Sequence, residues 1–148
     1  MSCSFFVAGI IQGSHTLEVI HNQDYRAFIK SLLKNRYPDA EIKCSIELYP
    51  DSLSYTPEQQ RSAFFDLMYQ TSQADILIVF LPQASMGSAI EMWESFRNQH
   101  TILVISPLTV NWVVRFLATE IIPDLSTFES FVNSGQLDQY VEQVRNKT

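Results

Sequence analysis

The residues best typed for chemistry fall in one stretch, Ala74 to Glu91, which reads ADILIVFLPQASMGSAIE. Ser85 stands where a helix should begin, and Gly87 follows within its first turn. A helix start leaves backbone N–H groups without internal partners, and a capping serine adds a hydroxyl. The free N–H groups of Met86 and Gly87, together with the helix dipole, can hold a phosphate there. Equally, Ser85 can be a helix cap and nothing more. Gly87 and Ser88 leave room for a sugar to approach. Glu91 brings a carboxylate six residues after Ser85. On a helical wheel it lies ~200° from Ala89, on the polar side with Glu94 and Ser95, so spacing alone reads it as a solvated glutamate. The turn Gln12-Gly13-Ser14 offers further N–H donors. Gly9, just before it, marks a place where the backbone turns or meets a ligand closely.

These residues need elements to carry them. Cys3 to Ile11, CSFFVAGII, is apolar on both faces and predicts a central strand. The loop IIQGSHTLE follows, with His15 beside the turn. From Asn22 a helical period places Tyr25, Phe28, Ile29, Leu32 and Leu33 on one face, and Pro38 stops that helix. Glu41 to Leu48, EIKCSIEL, alternates and predicts a half-buried edge strand. The long loop YPDSLSYTP carries Tyr49 and Tyr55, which can stack on a base or simply pack. Thr56, Pro57 and Gln59 open the next helix as cap, first residue and capping-box partner. Its apolar face is Phe64, Leu67 and Met68, with Asp66 opposite.

Asp75 to Leu81, DILIVFL, is the strongest strand, ended by Pro82. The helix from Ser85 to about Asn98 is expected to turn Ala89, Trp93 and Phe96 to the core. TILVI, Thr101 to Ile105, is another buried strand, and a helix holding Trp112, Val113 and Phe116 follows. Asn111 is placed to cap that helix, and Trp112 to enter either the core or an interface. Glu120 to Ile122 predicts a short last strand, and the tail two short helices broken at Ser134-Gly135.

Strands alternating with helices predict one α/β domain over residues 1–148, with a parallel sheet covered on both faces. Right-handed crossovers and one edge-like strand give a flavodoxin-like or Rossmann-like five-stranded sheet of order 2-1-3-4-5. Ligands then bind beyond the carboxyl ends of strands 1 and 3, where the order reverses. A net charge of −6 argues against a nucleic-acid partner. There is no convincing signal peptide, and no apolar run reaches the ~18 residues that span a bilayer. Cys3 and Cys44 lack disulfide or metal spacing and read as buried thiols of a cytoplasmic protein. His21 and His100 show no triad or metal spacing, and no metal or organic cofactor is implied.

Three segments carry a family resemblance. FFVAGIIQGS, ADILIVFLPQASMGSAIEMW and ILVISPLTVNW resemble, in the right order over residues 4 to 116, the nucleoside 2-deoxyribosyltransferase superfamily, which includes the 2′-deoxynucleoside 5′-monophosphate N-glycosidases. The middle segment is the specific one. The resemblance implies cleavage or transfer at the N-glycosidic bond of a nucleoside or its 5′-monophosphate, through a covalent glycosyl-enzyme. It makes Glu91 the nucleophile and Ser85 a ligand of the 5′-phosphate. Asp66 becomes the catalytic acid near the departing base, although its spacing to Asp75 is one residue longer than in the family. Asn111 becomes a residue that completes a neighbouring subunit's site, in a homodimer or higher oligomer. One departure is larger: Phe6 stands where the family often has a tyrosine that orients the carboxylate. The alternative is therefore a nucleotide-binding or signalling module with little or no turnover.

Overall fold

The computed structural model describes residues 2–16 and 19–147. Leu17 and Glu18, the end of the predicted first loop, lie outside them. Five strands, β1 (Ser4–Gly9), β2 (Glu41–Cys44), β3 (Ile76–Phe80), β4 (Thr101–Ile105) and β5 (Glu120–Ile122), form one sheet in the order β2-β1-β3-β4-β5. Every neighbouring pair is parallel, with Phe5 opposite Ile76 and Ile76 opposite Thr101. The connections are α1 (Asp24–Arg36), α2 (Ser45–Leu48), α3 (Pro57–Gln73), α4 (Met86–Arg97) and α5 (Trp112–Leu117). The chain then closes with α6 (Leu125–Asn133) and α7 (Asp138–Arg145).

Period-two alternation sends neighbouring strand residues to opposite layers. Phe5, Val7, Ile76, Ile78 and Leu103 pack against Tyr25, Ile29 and Leu33 of α1 and Phe128 and Val132 of α6. Phe6, Ala8, Leu77, Val79 and Ile102 pack on the other face with Met92 of α4 and Val114 of α5. The helix starts follow their caps. Thr56 and Gln59 form the capping box of α3, and the side chains of Ser85, Asn111 and Asp124 cap α4, α5 and α6. Cys3 and Cys44 are buried free thiols. No helix among the described residues is long and apolar enough to cross a membrane.

The second strand is shorter than its alternation suggests. It ends at Cys44, opposite Val7, and Ser45–Leu48 turn into α2. The next positions along β1 are already occupied: the Arg26 guanidinium donates to Val7 O at 2.8 Å and to Gly9 O at 3.3 Å. Arg26 itself lies on the buried stripe of α1 with Ile29 and Leu33, while Phe28 turns outward.

The larger correction concerns α4. Its buried side holds Ser88, Glu91, Met92 and Ser95. Trp93, expected in the core, is 52% exposed, and Phe96 is exposed beside it. Small serines let the helix lie close to the sheet, and the broad apolar stripe is left on the outside. The neighbouring helices behave alike. The inner residues of α3 are Ala63 and Thr71, with Phe64, Phe65 and Tyr69 outward, and Leu67 and Met68 half-buried. Trp112 is 77% exposed, Phe116 is exposed beside it, and Val113 is also turned out.

Candidate active site

The carboxyl ends of β1 and β3 meet at the point where strand order reverses. Gly9 closes β1 with φ +156°, and a Cβ there would meet the Tyr25 hydroxyl at 2.6 Å and Phe80 O at 2.8 Å. Only glycine allows that approach without displacing a neighbour. The loop beyond is tied down at both ends. Ile10 N–H donates to Phe80 O at 3.1 Å, and the Tyr25 hydroxyl and Gln23 side-chain amide donate to Ile10 O at 3.0 and 3.1 Å. His21 N–H closes the far side on Ile11 O at 2.7 Å. Its ring lies tilted against that of His15, with centroids 4.5 Å apart.

From the other side comes the start of α4. Ser85 Oγ accepts from Ser88 N–H at 3.3 Å, which leaves its own hydroxyl proton available. A Cβ on Gly87 would meet nothing within 4 Å, so that face of the helix start is open. Glu91 does not reach solvent as its wheel position suggests: it is 7% exposed, and its Oε2 is buried without a hydrogen-bond partner. Burial pushes the carboxyl up to about 7, against the opposing pull of the Arg26 charge. A buried carboxylate without a hydrogen bond is a poor structural choice and a suitable one for a group that must react.

Two cavities flank this point. One, of about 310 Å³, is lined by Gly13, Ser85, Ala89 and Asn111 with the apolar Leu81 and Leu108. The other, of about 490 Å³, is lined by Ile11, Gln12, Tyr49, Ala63, Phe64 and Leu67. The short turn at Gln12-Gly13 faces one with each residue. Asp66 stands behind the second cavity, where Oδ2 accepts from the Tyr49 hydroxyl at 2.5 Å and Oδ1 from the Gln70 amide at 3.4 Å. Glu91 lines neither cavity directly, although Ala89 on its own helix lines the first. Asn111 Oδ1 is engaged in its own helix cap, by Val113 and Val114 N–H at 3.0 and 3.3 Å. Among the described residues, no cluster of three or more His, Cys, Asp or Glu side chains is placed to hold a metal.

Solved structures with the same architecture now have a bearing. A 2-deoxyribosyltransferase from the psychrotolerant bacterium Bacillus psychrosaccharolyticus superposes with a TM-score of 0.63 at 12% identity, covering 86% of this chain and 90% of that one. A conserved protein from Enterococcus faecalis V583 gives a TM-score of 0.64 at 10% identity, over 90% of this chain and 99% of that one. The fold is that of a 2-deoxyribosyltransferase. No protein-family model matches the sequence, and no curated protein matches it.

Within this fold, Gly13, Ser85 and Asn111 share one cavity, and Gln12 lines the other beside Asp66's partner Tyr49. Gly9 lines neither cavity but ends β1 just before the loop that supplies Gln12 and Gly13, and Gly87 stands on the first turn of α4. Sequence reasoning passed over two contributors, Arg26 and the Tyr49–Asp66 bond. The first had a signal: an arginine at 26 shares a helical stripe with Ile29 and Leu33. The second had none, because the partners lie 17 residues apart across an irregular loop.

Proposed function

We propose that this protein breaks the N-glycosidic bond of a deoxynucleoside or its 5′-monophosphate, passing the sugar through a covalent bond to Glu91. The observation that carries the reading is Glu91 itself, a buried carboxylate with an unpartnered oxygen at the switch point of a 2-deoxyribosyltransferase fold. The Bacillus protein is described as a biocatalyst for the synthesis of nucleosides, which supports a nucleoside-sized substrate here. In the first step a Glu91 oxygen bonds to C1′ as the C1′–N bond breaks, and the electron pair leaves with the base, which takes its proton from Asp66 as the acid of the pair. Asp66 is assigned to the base's edge, with Tyr49 and Gln70 fixing its orientation. Water or a second base then attacks C1′ and releases Glu91. Gly9, Gln12 and Gly13 shape the loop over the sugar, and Ser85 and Gly87 receive its 5′ end through a hydroxyl and free N–H groups. The absence of cationic side chains among the residues lining that cavity leaves phosphate binding to these dipoles.

We assign the substrate to a site shared between copies. The aromatic side chains left outside on α3, α4 and α5 form the face that a second copy covers, and Asn111 borders that face. The whole chain acts as one domain, in the cytoplasm, where its two buried thiols stay reduced.

A base-release assay over deoxy- and ribonucleosides, with and without 5′-phosphate, tests the proposal. Glu91→Ala is expected to abolish release and keep the fold; release at the parent rate overturns the assignment. Ser85→Ala is expected to lose preference for the phosphorylated substrate, and an unchanged preference removes that role. The second reading, a binding module without turnover, rests on Phe6. It is fully buried where the family often places the tyrosine that orients the carboxylate. Nucleotide binding with no base release from any substrate would favour it.

A further inference from the structure

Another cavity, of about 330 Å³, lies at the opposite end of the sheet, where β3 and β4 begin. Asp75 enters it just before β3, Gln99 and His100 from the link between α4 and β4, and Gln143 and Lys147 from α7 and the turn after it. Every lining side chain except that of Val144 is polar. Ligand pockets are mostly apolar with a few polar groups, so this lining selects a small polar molecule. The groups are fixed in place and left without partners. Asp75 Oδ2 accepts from Ser4 N–H at 2.8 Å and from the Ser4 hydroxyl at 2.7 Å, while Oδ1 takes no bond from the protein. At the end of α4, Gln99 N–H donates to Phe96 O and His100 N–H to Ser95 O, each at 3.0 Å. Gln99 has φ +60°, a left-handed position that glycine or asparagine fills with less strain. Glutamine there brings an amide to the cavity wall. His100 Nδ1 is buried without a hydrogen-bond partner, which favours the ring proton on Nε2 and leaves Nε2 as a donor. Burial lowers the ring's pKa against the pull of Asp75, and Lys147 lowers it further, so the ring is neutral at pH 7.

Among the described residues neither Asp75 nor Lys147 makes an ion pair, with the other or with a third group. Two opposite charges thus face one cavity without meeting. An anion alone would satisfy Lys147 and be repelled by Asp75, and a cation alone would do the reverse. A molecule that carries both charges answers both. Asp75 Oδ1 accepts, so the positive end must bear N–H groups. We propose that this cavity binds a free α-amino acid, its ammonium on Asp75 Oδ1 and its carboxylate on Lys147 and His100 Nε2. Gln99 and Gln143 supply amides for the rest of the molecule. No residue of the candidate active site lines this cavity, so the proposal does not depend on the glycosidic reading.

The test is a thermal-melting screen of the full chain against the free L-amino acids at about 10 mM, followed by calorimetric titration of each that raises the melting temperature. At least one is expected to raise it. Masking either of its charges, by N-acetylation or by conversion to the carboxamide, should weaken binding roughly tenfold or more, and so should Lys147→Met. Asp75→Asn should weaken it equally. Because Asp75 also holds Ser4, Lys147→Met on its exposed turn decides if Asp75→Asn does not fold. Gln99→Gly relieves the left-handed strain, so it should melt at or above the parent without ligand and yet bind more weakly. No rise with any amino acid, equal binding of the masked forms, or undiminished binding in both Lys147→Met and Gln99→Gly overturns the proposal. Adenine, an uncharged heterocycle, is the control: binding that it loses in Gln143→Ala and keeps in Lys147→Met would assign the cavity to a base and overturn the proposal as well.

Discussion

The Tyr49 hydroxyl donates to Asp66 Oδ2 across 2.5 Å, tying the end of α2 to the middle of α3 beside the larger cavity. The bond to Asp66 pushes the phenol up to about 12, with a smaller contribution from burial. Asp66→Asn should return Tyr49 toward an ordinary phenol, visible as an earlier step in an ultraviolet absorbance titration. Tyr49→Phe should cost about 1 kcal/mol of stability or less, since the pair is near the surface. A larger effect on base release than on stability would place the pair at the substrate. A titration unchanged in Asp66→Asn would show that the bond is not made in solution.

Glu91 gives stability a pH dependence of known sign. Its carboxyl sits near 7 in the folded protein against 4.5 as an ordinary glutamate, so the folded state retains the proton longer. Below about pH 4.5 both states are protonated and nothing is lost. As pH rises from there through 7 the unfolded state binds fewer protons, and stability falls. The full span corresponds to roughly 3 kcal/mol at most. Glu91→Gln should therefore melt higher than the parent above about pH 8, with the gain fading toward pH 4.5. A gain independent of pH would mean that Glu91 is solvated. In the active protein the same group predicts base release rising with pH through about 7.

Gly9 admits no side chain. Gly9→Ala puts a methyl within 2.8 Å of the Phe80 carbonyl, a backbone group, and within 2.6 Å of the Tyr25 hydroxyl, at φ +156°. Destabilisation of about 2 kcal/mol or more is expected in chemical denaturation, with lost activity wherever the fold survives. Gly87→Ala, by contrast, meets open space and should fold as the parent does. Equal stability of Gly9→Ala and Gly87→Ala would contradict the tight closure of the loop.

The outward aromatic face of α3, α4 and α5 predicts self-association. Trp93→Glu and Phe116→Glu place a charge on α4 and α5 where the exposed rings are. Each is expected to shift the assembly to monomer in sedimentation velocity, and to lower base release if Asn111 serves a neighbour's site. A parent chain that sediments as a monomer would remove the shared site and leave the apolar face for another partner.

Much of the architecture was legible in the chain itself. Apolar runs at Phe5–Val7, Ile76–Phe80 and Thr101–Ile105, separated by helical periods, are enough to name a doubly wound parallel sheet and its order. Capping residues placed the starts of α3, α4 and α5 because a cap is a local bond between neighbours in sequence. Only the tertiary structure decided which face of α4 looks inward. Periodicity reports which residues resemble one another, and it assigns the apolar stripe to the core by default; here Ser88 and Ser95 approach the sheet, while Trp93 and Phe96 face away from it. The same holds for the end of β2, set by Arg26 on the carbonyls of its neighbour, and for Glu91, which reads as solvated until the sheet is built around it. Those choices depend on groups far apart in the chain, and no local pattern can carry them.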